Sequence, residues 1–217
     1  MAISFDASTG PASTTGTSLT FSHTCTGSNL ILFVACMNDS VTDTISGVTY
    51  NSVAMTLVTN VQVPVDLRYV YLFYLVNPST GANDVVVSST TSEFMRATAA
   101  SYAGAAQSTP IDASNTETGI GETSHAFDVT TVTDNCWTII SVRADGGSIS
   151  AGSGTTLRGT GTFHNLLDSN AAITPAGATT LNVNFGSSNN GGVIAAFKPF
   201  VASATTRRNR MLTGIGN

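Results

Sequence analysis

Histidines are the residues of this chain that could carry acid–base catalysis or bind a metal. His23, His125 and His164 lie far apart in the sequence, each in a strand-like segment beside Ser, Thr or Asn. A catalytic triad or a metal site would need them to converge with a carboxylate. No Gly-x-Ser-x-Gly motif accompanies them. We therefore expect no catalytic residues, no metal site and no enzyme activity.

Cysteines are the second group with chemical potential. The chain has three, Cys25, Cys36 and Cys136, and an odd count does not suggest a disulfide framework. Cys36 and Cys136 sit in apolar runs, as is typical of small buried side chains. No Cys-x-x-Cys pair or Cys/His cluster suggests zinc. We predict three unbridged thiols and no cofactor.

Two kinds of loop could hold an ion. The segments Asn38–Asp43 and Thr133–Cys136 are rich in Asn and Asp, whose oxygens can bind calcium, although the same residues are ordinary turn formers. The glycine-rich stretch Arg143–Gly161 resembles a phosphate loop only superficially, because the Gly-x4-Gly-Lys pattern and a following helix are missing. Turns and flexible hairpins are the better interpretation of both.

Aromatic residues leave two interpretations open. Trp137 and the group Tyr69, Tyr71 and Tyr74 could form a flat platform on which a sugar stacks. Their alternation in strand-like runs is also typical of core packing. Carbohydrate binding therefore remains an alternative.

The C-terminal segment separates charge from the rest of the chain. Residues 1–206 hold all 13 acidic residues and five of the eight basic ones, whereas the last residues carry the other three. An acidic body is a poor nucleic-acid binder. The candidate partner-binding residues are three arginines followed by apolar side chains: Arg207, Arg208, Arg210, Met211, Leu212 and Ile215. The segment is either a disordered terminus or an arm that grips a neighbouring protein.

The elements that would position these residues are short strands separated by Gly, Pro, Asn, Asp and Ser. The continuous apolar run "NLILFVACM" predicts a central strand that is covered on both sides. The alanine-rich "EFMRATAASYAGAA" is ambiguous, but its alternation favours a strand. The sequence predicts an all-β fold: a two-sheet antiparallel β-sandwich, jelly-roll-like, as one domain over residues 1–200. An extended arm follows over residues 201–217. No fixed-period repeat suggests a solenoid or propeller.

The N-terminal segment lacks the basic and apolar regions of a Sec signal peptide, and no apolar run is long enough to span a membrane. Charged residues make up only 10% of the chain, far below the usual share. We expect no membrane partner. Low charge fits a surface that is largely covered by neighbours.

The order of segments resembles a recurrent jelly-roll β-sandwich module of phage virion proteins (decoration and fibre) and bacterial surface proteins. The segments that carry the resemblance are "TSLTFSHT", "GSNLILFVAC", "ISGVTYNSVAMTLV", "YLFYLVNPSTGANDVVVS", "ASYAGAAQSTPID" and "GGVIAAFKPF". Ser52 departs from the pattern, which has Gly there, so a longer turn or one of another type is expected.

The resemblance, together with the low charge and the arm, implies a non-enzymatic structural protein of a phage virion. It would decorate or cement a capsid, or form a head or tail fibre component. Its partners would be phage capsid or tail proteins, and its own copies in a homo-oligomer, a trimer by analogy. It would assemble in the host cytoplasm. The alternative is a carbohydrate-binding adhesin module of a phage fibre or cell surface, with a glycan as partner.

Overall fold

The computed structural model describes residues 1–202, which form two antiparallel β-sheets and contain no helix. The first sheet contains β1 (Ser4–Cys25), β2 (Ile31–Asn38), β3 (Ile45–Tyr50), β4 (Val53–Ala54), β5 (Thr56–Gln62), β6 (Tyr69–Val76) and β7 (Gly81–Ala103). The second contains β8 (Ile111–Thr130), β9 (Trp137–Ser148), β10 (Ser150–Ala151), β11 (Thr156–Leu157), β12 (Thr162–Asp168) and β13 (Ala178–Phe197). The all-β, two-sheet prediction is confirmed. The described residues form no helix that is long and apolar enough to cross a membrane.

The two sheets have the same strand connections. The first sheet runs β4-β3-β7-β2-β6-β5, with β1 along the other side of β7. The second runs β10-β13-β9-β12-β11, with β8 along the other side of β13. The two orders match when β1 is taken as equivalent to β8, β2 to β9 and β7 to β13. β3, β5 and β6 then correspond to β10, β11 and β12, and β4 is the one strand of the first sheet without a counterpart. The described chain is thus built from two topologically equivalent halves in tandem.

The pairing registers support this equivalence. Phe33 of β2 lies opposite Ala100 of β7, as Ile139 of β9 lies opposite Ala195 of β13. The corresponding long strands β1 and β8 lie opposite those same alanines, through Ser8 and Ser114 respectively. No such repeat was visible as a fixed period in the sequence.

An aspartate occupies the same irregular position in both halves. The register of β1 shifts around Asp6, and the register of β8 shifts around Asp112. The Asp6 carboxylate accepts hydrogen bonds from the backbone and side chain of Thr26. The Asp112 carboxylate does the same for Thr133, and also accepts from the backbone of Val132. Each carboxylate therefore ties the start of its half to the loop after the long strand.

The core is divided into three clusters. The two faces of β2 explain the arrangement, because all eight of its residues are buried, as the apolar run predicted. Leu32 and Val34 face a cluster that the first sheet encloses by bending back on itself. Ile31 and Phe33 face the middle cluster, where they meet Phe197 of the second sheet. The second sheet encloses its own cluster in the same way.

The outer edges of β1 and β8 face away from the paired strands, since each of these two strands has one partner among residues 1–202. On β8, the backbone N–H of Asp128 donates to the Glu117 carboxylate at 2.8 Å, and its carbonyl accepts from the Asn115 amide at 3.0 Å. On β1, the edge is interrupted at Pro11, which has no N–H to offer.

The hairpin between β3 and β4 has a two-residue turn. Asn51 and Ser52 both have positive φ, 49° and 64°, and Tyr50 pairs with Val53 across them. These signs are those of a type I′ turn. The expectation of a longer turn or another type is wrong, because Ser52 adopts the left-handed conformation that glycine usually supplies. The ambiguous alanine-rich segment forms the end of β7, as predicted.

Candidate functional site

The predicted partner-binding residues, Arg207, Arg208, Arg210, Met211, Leu212 and Ile215, lie outside the described residues. The structure does place the point where that segment begins. The backbone N–H of Phe200 donates to the carbonyl of Gly104 at 2.7 Å. The N-terminal amine of Met1 donates to the carbonyl of Phe200 at 2.9 Å. Val201, the next residue, is exposed.

Two open clefts flank this point. One, of about 410 Å³, is lined by Ile3, Trp137, Pro199 and Phe200 among others. The other, of about 400 Å³, also includes Phe200 and is lined by Lys198 and Gln107 among others. Apolar surface therefore lies beside Phe200, close to the last of the described residues.

The histidines do not converge. His23 and His164 are buried in different halves, and burial lowers the pKa of His23 to about 4. Burial, with repulsion from two nearby arginines, lowers the pKa of His164 to about 3. His125 lies near the surface between the carboxylates of Glu117 and Glu122.

A Ser–His–Asp group does form around His23, but its order differs from that of a triad. The ring Nε2 is 3.1 Å from the Ser101 hydroxyl, which itself donates to the Asp6 carboxylate at 2.6 Å. In a triad the carboxylate orients the histidine, and the histidine accepts the serine proton. Here the serine hydroxyl donates its hydrogen bond to the carboxylate and not to the histidine, so the group is a hydrogen-bond network without an activated nucleophile.

The remaining predicted features also have structural roles. Cys25, Cys36 and Cys136 are free and buried, as expected. In the first Asx-rich loop, Asp43 accepts a hydrogen bond from Tyr71 at 2.8 Å. In the second, Asp134 accepts from the backbone of Ala176 at 2.7 Å. Residues 1–202 contain no group of three His, Cys, Asp or Glu side chains placed to hold a metal ion.

The aromatic platform does not exist as a surface. Trp137 is buried in the middle cluster, and Tyr71 is buried in the cluster of the first sheet. Tyr69 stacks on Tyr71 on one face of β6, and Tyr74 belongs to the opposite face. That candidate sugar site is wrong, because alternation along the strand sends its members to different sides of the sheet.

A third cleft, of about 430 Å³, collects charged and aromatic side chains from both halves of the chain. Its lining residues are Met37, Asp39, Asp66, Arg68, Phe94, Arg96, Arg143, Asp145 and Phe163. They come from β2, β7, β9, β12 and the adjoining loops. Three of the five basic residues in the described part of the chain meet here.

Arg143 organises the floor of this cleft. Its side chain is only 4% exposed, and its Nη2 atom lies 2.7 Å from Asp66 and 2.9 Å from Asp145. Its Nη1 atom lies 3.3 Å from Asp39. Arg68 adds a second cation, 3.0 Å from Asp39. These ion pairs hold the loop before β6 in the first half against β9 in the second.

The acids of the floor differ in proton affinity. Burial, together with the neighbouring Asp66, raises the pKa of Asp145 to about 6. Burial also acts to raise the pKa of Asp66, but its hydrogen bond to Arg143 and the charges of Arg143 and Arg68 hold that pKa below its usual value. Protonation of Asp145 therefore removes one negative charge from the floor as the pH falls below about 6.

The sequence predicted none of these cleft residues as a site, although Asp39 lies in the Asn38–Asp43 segment and Arg143 and Asp145 lie in the glycine-rich stretch. Asp66, Arg96 and Arg143 are far apart in sequence, and only the packing of the two halves brings them together. One signal was available: Arg143 continues the apolar run "CWTIISV", and a charge in such a strand requires a partner.

Comparisons with known proteins do not assign the chain to a family. No family model matches it, and no curated protein matches it. Among solved structures, the major capsid protein P2 from bacteriophage PM2 aligns over 93% of this chain and 99% of its own, at 7% identity and a TM-score of 0.27. A likeness at that score carries no argument about function.

Proposed function

We propose that this protein is a non-enzymatic structural component of a phage virion that acts by protein–protein assembly. Its role would be capsid decoration or cement, or that of a head or tail fibre component. The observation that carries the proposal is the end of the sandwich around Phe200. Apolar clefts lie beside Phe200, and in the sequence a basic and then apolar segment follows this acidic body.

Charge supports binding of that segment to a protein. Residues 1–202 carry 13 acidic and five basic side chains, and residues 203–217 add three arginines. Arginine forms bidentate, charge-assisted hydrogen bonds with carboxylates. Apolar residues next to such a contact gain burial as well. An acidic capsid or tail protein is therefore a better partner than nucleic acid, which would be repelled by the body.

The polar interior supports a structural role over an enzymatic one. His23, Ser101 and Asp6 bond one another in an order that leaves no activated nucleophile. Asp168 is fully buried and is paired with Arg158 at 2.6 Å and with Tyr102 at 2.6 Å. Such groups rigidify the body. A body of this kind suits a virion that is assembled in the host cytoplasm and must then persist outside the cell.

Truncation tests the proposal. A variant that ends at Val201 should keep its β-type circular dichroism and its melting temperature, because the last strand, β13, ends at Phe197. It should no longer sediment with particles of the source phage in a density gradient, whereas the full chain should do so in stoichiometric amounts. Binding of the full chain should weaken as salt screens the arginines.

Two variants, each with three substitutions, locate the contact. Replacement of Arg207, Arg208 and Arg210 by Gln should abolish the salt dependence, and replacement of Met211, Leu212 and Ile215 by Ser should weaken binding at every salt concentration. Arg96→Gln, which removes one cation from the body at a residue that lines neither of these clefts, is the matched control and should bind normally. Unchanged particle occupancy for the truncated chain would show that the arm is not the attachment element. Absence of the full chain from purified particles would exclude the virion role itself.

A further inference from the structure

The cleft around Arg143 contains one arginine, Arg96, that forms no direct ion pair with a carboxylate among the described residues. Arg68, Arg143 and Arg158 each pair with a carboxylate, but Arg96 has none within 4.0 Å among residues 1–202. Its Nη1 atom donates to the backbone carbonyl of Thr162, and its buried Nε atom has no partner within the described part of the chain. Burial and the nearby Arg143 guanidinium lower the pKa of Arg96 below its usual value, and the charge of Asp39 offsets only part of this effect. An anion beside Arg96 would relieve both penalties.

One aromatic residue that lines the cleft, Phe163, has a strained backbone conformation. Phe163 has a φ of +67°, a conformation that bulky side chains avoid, and it sits where the register of β12 against β9 shifts. Its ring is nevertheless 42% exposed, so core packing does not explain the strain. Bulges re-aim side chains, and strained residues cluster at ligand clamps. Phe94 lines the same cleft, with the Arg96 guanidinium 5.8 Å from its ring centroid.

The volume and the remaining polar groups narrow the class of ligand. About 430 Å³ lies within the range of small-molecule sites. Asp39 and Asp145 offer carboxylate oxygens that can accept hydrogen bonds from hydroxyl groups. Five side chains form the ion-pair network, two cationic and three anionic, so Arg96 brings the cleft close to neutrality. A ligand with one negative charge, several hydroxyls and an apolar face fits this lining, whereas a multiply charged phosphate would meet three aspartates.

We propose that this cleft binds a sugar unit that carries a carboxylate, of the hexuronic acid type. The carboxylate pairs with Arg96 in bidentate geometry. The ring hydroxyls donate to Asp39 and Asp145, and the C–H face of the sugar packs on the ring of Phe163. This binding site contains no residue of the C-terminal arm, so a negative result here would not count against the assembly role, and a failure of the assembly role would not count against this site.

The test compares sugars that differ only in charge. Sodium galacturonate is titrated into the full-length ¹⁵N-labelled protein, and galactose is the neutral counterpart. We expect amide shifts confined to the cleft, and galacturonate should bind about tenfold or more tightly than galactose, as loss of one charge-assisted hydrogen bond implies. Equal affinity for the two sugars, or no shift in the cleft at concentrations up to the solubility limit, overturns the proposal.

Variants separate recognition from folding. Arg96→Gln should remove the preference for galacturonate, and Lys198→Gln, which removes a cation that does not line this cleft, should leave it unchanged. Phe163→Gly removes the ring and also relieves the positive φ, so its melting temperature should be equal or higher while galacturonate affinity falls. A Phe163→Gly protein that binds galacturonate as tightly as the natural chain contradicts the proposed contact.

Discussion

Asp168 shows how single residues join the two halves of the chain. It is fully buried in the second half, where Arg158 pairs with it through two hydrogen bonds, of 2.6 and 3.0 Å. The hydroxyl of Tyr102, which belongs to the first half, donates to the same carboxylate at 2.6 Å. Removal of any one partner of such a buried charge destabilises the folded protein. Specific polar contacts thus add to the apolar packing between the halves.

The buried histidines make stability depend on pH. The pKa values of His23 and His164 are about 4 and about 3 in the folded protein, against about 6.5 when unfolded. Below pH 6.5 the unfolded chain therefore binds more protons. The free energy of unfolding should fall from pH 6.5 toward pH 3, by up to about 1.4 kcal/mol per pH unit for each histidine. Asp145, with its raised pKa, opposes part of this loss between pH 6 and about 4.

Urea unfolding at a series of pH values between 7 and 4 would measure this slope. A double variant, His23→Gln with His164→Gln, keeps a neutral polar side chain at both positions and should have a shallower slope. His125→Gln is the control, because that histidine lies outside both buried networks. An identical slope in the double variant would show that other groups control the acid sensitivity.

At the scale of elements, close packing between strands limits the size of the side chain at some positions. Gly192 of β13 faces the cluster that the second sheet encloses. A Cβ atom there would lie 2.8 Å from Phe127 Cε1 and 3.0 Å from Ile140 Cδ1. Both neighbours are buried and have little room to move. The glycine therefore permits the bent second sheet to close on its own core.

Gly192→Ala should lower the free energy of unfolding by about 1–3 kcal/mol through overpacking. Gly47→Ala is the matched control, since nothing lies within 4 Å of a Cβ atom at Gly47 and its φ is not positive. It should change stability by less than about 0.5 kcal/mol. Chemical denaturation of the two variants measures this difference in stability. Equal stabilities would mean that the second sheet shifts to make room for the added methyl group.

Strand identity was more predictable from the sequence than strand arrangement. The run that forms β2 is apolar at nearly every position because both of its faces are covered, and that pattern is local. The cleft depends on contacts between Asp66 and Arg143, which no local pattern encodes. The tandem halves share little more than the Asp-Ala-Ser that follows Phe5 and Ile111. Their likeness lies in backbone pairing, which tolerates different side chains.

At the scale of the whole molecule, the middle cluster packs buried side chains of the two halves against each other. Phe33 of the first half and Phe197 of the second lie with ring centroids 5.1 Å apart, and both are fully buried. Trp137, the one tryptophan of the chain, belongs to the same cluster. Separating the halves would expose all of these rings to water.

We therefore expect a single unfolding transition. Tryptophan fluorescence, which reports on the second half, and far-ultraviolet circular dichroism, which reports on both, should give coincident curves. Phe33→Ala lies in the first half, yet it should shift both curves equally, by about 3–5 kcal/mol. If the fluorescence curve stays in place while the dichroism curve moves, the halves unfold independently.

Assembly beyond the single chain is expected as well. The resemblance to virion proteins motivates a homotrimer, in which symmetric copies share one kind of interface. Light scattering after size exclusion should give about three times the chain mass of 22.2 kDa. Measurement at several micromolar concentrations, with the chain ending at Val201 in parallel, would show whether the arm is needed. A monomer at every concentration, in solution and on the particle, rules out the trimer.

The outer edges of β1 and β8 have a consequence for how the protein behaves when crowded. An open edge can template further strands and seed fibrils. Pro11 breaks the ladder on β1, and Glu117 and Asn115 occupy the outward backbone groups of Asp128 on β8. We therefore expect these long serine- and threonine-rich strands to resist growth into amyloid when the protein is concentrated. Chains that are packed side by side should then meet through side chains and not through these backbone edges.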